Sequence, residues 1–162
     1  MSTLFSVGNS RCPMPRLLTL VCAFAEQLPQ PIYVQYGHNS FDCKKVESFG
    51  FLSEVEFGKH MSKAAVIVLH GGAVSILQAN QLGRVPVVMP RRREMGEHID
   101  NHQISLCRKF SEAGKIVVLE EAEDLLHAIA KAKALEASLD HQSNVSRMVK
   151  LVAGAIEAAA NS

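Results

Sequence analysis

A pair of glycines lies between a buried strand pattern and a helix pattern near the middle of the chain. The run at residues 64–69 holds only Ala, Val, Ile and Leu, as is typical of a strand buried on both faces of a parallel sheet. His70, Gly71 and Gly72 follow this run directly. Such a turn lets a ligand approach the backbone and directs helix N-terminal amides at it, which suits a diphosphate. The alternative is that the turn needs glycine only for its dihedral angles.

Three consecutive arginines follow the next apolar run, which covers residues 85–89. Arg91, Arg92 and Arg93 are expected at the carboxyl end of that predicted strand. There they would form a local anion site in a protein that is otherwise nearly neutral. The alternative is a solvated basic loop without a ligand.

Two histidines follow the arginines at a spacing that some metal sites use. His98 and His102 are four residues apart and would share one face if both lay in a helix. Because the sequence indicates no third ligand, we predict no metal ion. His102 and Gln103 are better interpreted as a polar pair at a helix N-terminus that faces a ligand.

Several common site signatures are missing. The loop that begins at Gly8 does not follow the GxGxxG pattern of dinucleotide-binding proteins. The chain also has no GxxxxGK[ST] phosphate-binding loop and no GxSxG nucleophile motif. These absences argue against an NAD enzyme, a P-loop NTPase and a serine hydrolase.

The elements that position these loops alternate between strand and helix patterns. Strands are predicted at residues 4–8, 32–36, 46–52, 64–69, 85–89 and 116–119, and helices at 15–27, 57–62, 74–81, 99–113, 121–139 and 145–160. This alternation predicts an α/β fold: a Rossmann-like domain with a parallel sheet of five or six strands and helices on both faces. Ligands of such sheets bind outside the carboxyl ends of the strands. The loops that begin at Gly8, Gly37, His70 and Pro90 are therefore the candidates.

Size and composition limit the class of protein. The 162 residues fit a single domain, residues 1–162. With 17 Lys and Arg against 16 Asp and Glu, the chain lacks the basic excess of a general nucleic-acid binder. The four cysteines show no metal-ligand spacing, and we expect reduced thiols in a cytoplasmic protein. No signal peptide or membrane-spanning apolar run is evident.

Three segments together resemble a known block of residues. Residues 70–78, 83–90 and 96–103 are similar to the donor-binding C-terminal domain of GT-B glycosyltransferases, in the family that includes the lipid II N-acetylglucosaminyltransferase. The chain's length and its third segment look most like the small subunits of split enzymes. These are exopolysaccharide glycosyltransferase subunits of the PssE type and the eukaryotic subunit for dolichol-linked N-acetylglucosamine transfer. The resemblance covers about residues 4–120 and implies the C-terminal half of a GT-B fold.

The resemblance implies a UDP-sugar site without a cofactor or a metal ion. In the family, the glycine loop approaches the donor diphosphate and sugar, and a His-Gln pair lies near the sugar. Gln78 stands where the family usually has a Glu that binds the ribose hydroxyls, so this chain keeps an acceptor oxygen and loses the charge. Helix amides and arginine would stabilise the UDP leaving group. The expected donor-binding residues are Gly8, His70, Gly71, Gly72, Ala73, Ser75, Gln78, Arg91, Arg92, Arg93, His102 and Gln103.

The resemblance also implies a partner chain. A GT-B active site lies between two Rossmann-like domains, and this chain has room for one. In the family the general base belongs to the other domain, close to the acceptor. We therefore expect no catalytic residue here and little or no transferase activity alone. The expected partner is a membrane-anchored, acceptor-binding subunit that recruits this cytoplasmic chain to the inner face of the membrane.

The complete enzyme is expected to transfer a hexose or hexuronic acid to a lipid-linked acceptor in exopolysaccharide or glycolipid synthesis. The apolar stripe of the last helix either crosses onto the partner or packs on its own domain. Two other functions stay open. The chain could be a non-catalytic enhancer subunit, with Gln78 marking a degraded donor site, or a self-sufficient sugar-nucleotide enzyme such as an epimerase.

Overall fold

Six short strands alternate with helices along the described part of the chain. The computed structural model describes residues 1–139 and 141–160, with only the backbone of 141–148. The strands are β1 (Ser2–Ser6), β2 (Ile32–Gln35), β3 (Glu47–Phe49), β4 (Ala64–His70), β5 (Val87–Met89) and β6 (Val117–Val118). The helices are α1 (Pro15–Phe24), α2 (Glu54–Lys63), α3 (Ala73–Gln81), α4 (His102–Glu112), α5 (Leu125–Ala137) and α6 (His141–Ala160).

The strands form one parallel sheet in the order β3-β2-β1-β4-β5-β6. This confirms the predicted α/β fold with a parallel sheet of five or six strands. From β1 the chain builds the sheet outward to β3, then returns to place β4 on the other side of β1. The strand order therefore reverses between β1 and β4, and ligands of such sheets bind at this reversal, outside the carboxyl ends of the strands.

The core lies on both faces of the sheet, as expected of strands covered twice. Phe5 and Val68 point into one buried cluster that α1 and α5 cover. Leu4 and Leu69, their neighbours in sequence, point into a second cluster that α2, α3 and α4 cover. Because successive side chains of a strand alternate between faces, β1 and β4 anchor both layers. The loops at their carboxyl ends are therefore held by the best-packed part of the protein.

One difference from the predicted elements lies between β5 and α4. The helix predicted from Ile99 begins only at His102, with Asn101 as its N-cap residue. A single 3-10 turn, Arg93–Met95, precedes it, and Gly96 closes that turn with φ 70°. A left-handed residue at this place interrupts the helical path. His98 therefore lies in a loop and not on the helix.

The apolar side chains of the last helix are divided between the core and the surface. Leu151 and Val152 pack against the second core cluster, whereas Val149 and Ile156 are largely exposed. The side chains of Val145 and Met148, which belong to the predicted stripe, lie outside the described residues. None of the described helices combines the length and apolar content that crossing a bilayer requires.

Candidate functional site

A pocket of about 530 Å³ opens at the carboxyl edge of the sheet, between β1 and β4. This volume is typical of small-molecule sites. The described residues that line it are Gly8, Asn9, Gln35, Leu52, Glu54, Phe57, His70, Gly72, Ala73, Val74, Ser75 and Gln78. We call this the switch-point pocket. It brings together six of the twelve residues that the sequence assigned to a donor site and places Ala73 beside a second cavity as well.

Helix α3 begins in the wall of the switch-point pocket. Its N-cap residue is Gly72, and no side chain caps the helix. The first-turn amides of a helix have no partner within the helix and carry the positive end of its dipole. Ala73 and Ser75, which belong to this turn, line the pocket. The backbone therefore offers an anion with hydrogen-bond donors that do not depend on a basic side chain.

The imidazole of His70 fills the space between two glycines. A Cβ atom at position 8 would lie 2.8 Å from its Cδ2 atom, and one at position 72 would lie 2.8 Å from its Nε2 atom. Gly8 also has φ 71°. Gly72 has an ordinary φ of −76°, so its lack of a side chain is required by the histidine ring and not by its backbone conformation.

Gly71 is required by packing on the other side of the turn. A Cβ atom there would lie 2.9 Å from Cβ of Gln103 and 3.0 Å from Sγ of Cys107, both on α4. Gly71 is not among the glycines with positive φ. For this pair the dihedral explanation is therefore wrong, since each glycine makes room for a neighbouring side chain.

His70 is a partly buried imidazole that is neutral at pH 7. Burial lowers the pKa of His70 to about 4, the positive charge of Arg91 acts in the same direction, and the nearby Gln103 side chain opposes the shift. Among the described residues, Nδ1 of His70 has no hydrogen-bond partner. At neutral pH the ring therefore carries no positive charge.

The depressed pKa of His70 predicts an acid-sensitive fold. Between an unfolded pKa of 6.5 and a folded pKa of about 4, only the unfolded chain binds the proton. The stability that the neutral His70 ring contributes is therefore fully present above pH 6.5 and is lost as the pH falls toward 4. At pH 5 the loss from this group is about 2 kcal/mol. Urea unfolding of wild type and His70→Gln at pH 7 and pH 5 should show a smaller acid loss in the variant by that amount.

The exposed His38 supplies a control for this measurement. His38→Gln changes an exposed imidazole whose ring meets that of Phe51 edge to face, and we expect it to retain the wild-type dependence on pH. If His70→Gln loses as much stability between pH 7 and pH 5 as wild type does, the assignment of a neutral ring is wrong.

The three arginines do not form one anion site. Arg91 is fully buried, and its guanidinium donates to three carbonyl oxygens, those of Val7 at 2.6 Å, Cys12 at 2.8 Å and Glu97 at 2.9 Å. These hydrogen bonds connect the loop after β1 to the loop after β5. Arg92 lines a different cavity, between α4 and β6, and Arg93 is exposed.

A buried carboxylate completes this connection. The side chain of Glu97 is 2% exposed and forms a two-point ion pair with Arg16, at 2.9 Å to Nε and 2.8 Å to Nη2. It also accepts the backbone N–H of Arg92 at 2.9 Å. Burial lowers the pKa of Arg91, and the charge of Glu97 opposes that shift. The hydrogen bonds of the Arg91 guanidinium hold the pocket loops in position, and Arg91 itself is not among the residues that line the pocket.

The predicted polar pair on α4 is divided between the inside and the outside of the protein. Gln103 is buried, and its Oε1 accepts the backbone N–H of Arg91 at 3.1 Å. His102 is half exposed, and its ring lies 2.5 Å from a carboxylate oxygen of Asp100. His102 lines a second cavity of about 520 Å³, which α3, α4 and α6 enclose and which shares Ala73 with the switch-point pocket.

Several lining residues were not predicted from the sequence. Gln35, at the end of β2, donates to Oγ of Ser6 at 3.3 Å and accepts the N–H of Leu52 at 3.1 Å, which fixes the floor of the pocket. Glu54 enters from the first turn of α2. The available signal was Ser53 with Glu56, which form a capping box and start the helix three residues before the predicted position.

A model of the glycosyltransferase family 28 C-terminal domain matches residues 18–156. The chain belongs to this glycosyltransferase family. A search of curated proteins finds no match.

Solved structures show the same fold at low sequence identity. The calicheamicin glycosyltransferase CalG4 superposes with a TM-score of 0.61 at 19% identity, over 95% of this chain and 38% of CalG4. MurG of Acinetobacter baumannii gives 0.54 and 16%, over 92% of this chain and 44% of MurG. The solution structure of ALG13 gives 0.53 and 15%, over 82% of this chain and 85% of ALG13. The fold is that of the C-terminal half of a GT-B glycosyltransferase, and the chain spans less than half of CalG4 and MurG.

Proposed function

We propose that this family 28 domain is the UDP-sugar-binding subunit of a two-component glycosyltransferase. The observation that carries the proposal is the switch-point pocket itself. There the uncapped N-terminus of α3 and the neutral ring of His70 meet at the point where the strand order reverses. A diphosphate fits this arrangement because the backbone supplies its donors and the helix dipole favours its charge.

The chemistry assigned to the chain is stabilisation of the leaving group. When the glycosidic bond to UDP breaks, negative charge grows on the diphosphate, and fixed amides at the start of α3 would stabilise it. Among the described residues that line the pocket there is no Lys or Arg. The arginine contribution expected from the sequence is therefore not retained in the proposal. Arg91 acts only by holding the pocket loops in place.

The need for a second component is supported by the surface around the pocket. Three apolar side chains at the edge of the pocket are largely exposed: Phe51 at 51%, Val55 at 67% and Val74 at 80%. Val74 lines the pocket in the first turn of α3, and Phe51 and Val55 adjoin the lining residues Leu52 and Glu54. An apolar rim around a pocket is typical of a surface that another protein covers. We propose that a membrane-anchored subunit carrying the general base and a lipid-linked acceptor covers this rim.

Gln78 gives a test of the nucleotide orientation. It lines the pocket beside α2, where a Cβ atom at position 58 would lie 3.3 Å from its Nε2 atom. Gln78→Glu should bind UDP about fivefold more tightly, because a carboxylate forms stronger hydrogen bonds with ribose hydroxyls than an amide does. The preference for UDP over 2′-deoxy-UDP should rise by a similar factor. Calorimetric titration measures both affinities.

A matched control lies one turn further along the same helix. Gln81→Glu adds the same charge at an exposed position outside the pocket lining and should leave both affinities unchanged. If the two variants bind UDP equally, or if Gln78→Glu changes the affinities for UDP and 2′-deoxy-UDP alike, position 78 does not contact the ribose.

The isolated chain separates the proposal from its two alternatives. We expect saturable UDP binding and no turnover of UDP-glucose, UDP-galactose or UDP-N-acetylglucosamine until the partner is added. A folded chain that fails to bind UDP would favour the enhancer subunit. Conversion of a UDP-sugar by the chain alone would favour an epimerase or another self-sufficient enzyme.

A further inference from the structure

Three metal-ligating side chains meet in the loop between β5 and α4. Nδ1 of His98 lies 3.3 Å from Oδ1 of Asp100, and Nδ1 of His102 lies 2.5 Å from the same oxygen. One ligand atom from each residue lies within 4.8 Å of the others. The imidazole rings meet edge to face, with centroids 4.6 Å apart. Asp100 is the third ligand that the sequence did not reveal, because the expected helix would not have turned it toward both histidines.

The loop that carries these residues is fixed at several points outside the cluster. On one side, the carbonyl of Glu97 accepts a hydrogen bond from the buried Arg91. On the other, Asn101 accepts the N–H of Arg93 at 2.9 Å and donates to Glu94 at 3.1 Å. Within the cluster, Oδ1 of Asp100 accepts the backbone N–H of His102 at 3.0 Å, and Nδ1 of His98 accepts that of Asp100 at 3.4 Å. The protein backbone therefore brings the ligands together, so that an ion would not have to order the loop itself.

The spacing and type of the ligands select a class of ion. Two imidazoles and one carboxylate suit Zn²⁺ and similar transition ions, whereas Mg²⁺ prefers oxygen ligands. Metal–ligand bonds of about 2.1 Å at tetrahedral angles place ligand atoms roughly 3.4 Å apart. The pair of His98 and Asp100 already has this spacing. The pair of His102 and Asp100 would open by about 1 Å, as bonds to the ion replace the direct contact between the two groups.

We propose that His98, Asp100 and His102 bind a divalent transition-metal ion of the Zn²⁺ class. Their side chains are 20%, 53% and 50% exposed, so a fourth position faces solvent and stays open to water or an anion. Because His102 and Ala73 share a cavity, and Ala73 also lines the switch-point pocket, the ion would lie near the pocket rim. This site stands whether or not the pocket binds UDP, and the ion has no part in the proposed leaving-group chemistry.

Zn²⁺ titration of the full chain tests the proposal. After treatment with a chelator, wild type should bind one Zn²⁺ at pH 7 by calorimetry. Asp100→Asn and His98→Gln should each weaken binding tenfold or more, because each removes one of three ligands. Asparagine keeps an oxygen that can accept the backbone N–H of His102, so the loop should remain folded. His38→Gln, which removes an exposed histidine elsewhere, is the matched control and should bind like wild type.

Co²⁺ spectroscopy identifies the ligands independently of affinity. Bound Co²⁺ should show the visible bands of a nitrogen- and oxygen-ligated ion without a thiolate charge-transfer band. A thiolate band would overturn the proposal, because the four free cysteines would then hold the ion. Absence of Zn²⁺ binding by folded wild type would also overturn it, as would equal affinity in wild type, Asp100→Asn and His98→Gln. The circular dichroism spectrum of each variant establishes that it is folded.

Discussion

Replacing Arg91 with methionine should lower the free energy of unfolding by about 3–5 kcal/mol, the range measured when one partner of a buried charge network is removed. The guanidinium is fully buried and donates to three backbone carbonyls on two loops. Methionine fills much of the same volume but leaves these oxygens without donors, and each buried unsatisfied acceptor is costly. The carboxylate of Glu97 would also lose a nearby positive charge. Urea denaturation followed by circular dichroism measures the change.

The neighbouring arginine is the control for this substitution. Arg92 is only partly buried and its guanidinium is not part of the buried network, so Arg92→Met should change stability by less than about 1 kcal/mol. If Arg91→Met does not fold, the free energy of unfolding of Arg91→Lys can be measured instead. Lysine keeps the charge but cannot match the planar fork of donors, so an intermediate loss is expected. Equal stability of Arg91→Met and Arg92→Met would contradict the structural role of Arg91.

Placing alanine at position 72 should weaken UDP binding at least tenfold while the chain remains folded. The new Cβ atom would overlap the His70 ring, and the ring would have to swing away from its place between the two glycines. The backbone at this position is ordinary, with φ −76° and ψ 126°, so alanine adds no backbone strain. The variant therefore changes the pocket more than the fold. Calorimetric titration with UDP measures the effect.

The double variant His70→Ala with Gly72→Ala tests whether the methyl group at position 72 acts by displacing the His70 ring. In His70→Ala the ring is absent, and Gly72→Ala should then cause little further loss of UDP affinity. If the two substitutions act additively, the methyl group interferes with UDP directly and the ring is not the mediator. If Gly72→Ala binds UDP as tightly as wild type does, the pocket beside Gly72 is not the nucleotide site.

The sequence was sufficient to predict the alternation of strands and helices, because buried strands of a parallel sheet are continuous apolar runs. Strand β4 consists of the apolar run at residues 64–69 and one further residue, His70. The capping box of Ser53 and Glu56 was a readable signal for the start of α2 that the prediction did not use. The start of α4 was harder, because a left-handed Gly96 and the contacts of Asn101 decide it.

The predictable part of the candidate site is formed by residues that lie close together in the sequence. His70, Gly72 and Ser75 follow a buried strand and begin a helix, so their place at the carboxyl edge follows from the fold. The role of Arg91 was not predictable, because it depends on carbonyls of Val7 and Cys12, about eighty residues away in the chain. A run of three arginines gives no sign of which one the tertiary structure buries. The place of Glu54 was not predictable either, because it reaches the pocket from another helix, α2.

The most direct test of the proposed nucleotide site is UDP titration of the isotopically labelled chain, followed by amide chemical shifts. We expect saturable shifts that are largest at Gly8 and between Gly72 and Gln78, the segments that line the switch-point pocket. Shifts confined to the cavity of Arg92 and Arg108, between α4 and β6, would contradict the account and restore an arginine site. A folded chain whose amides do not respond to UDP would contradict nucleotide binding by this domain altogether.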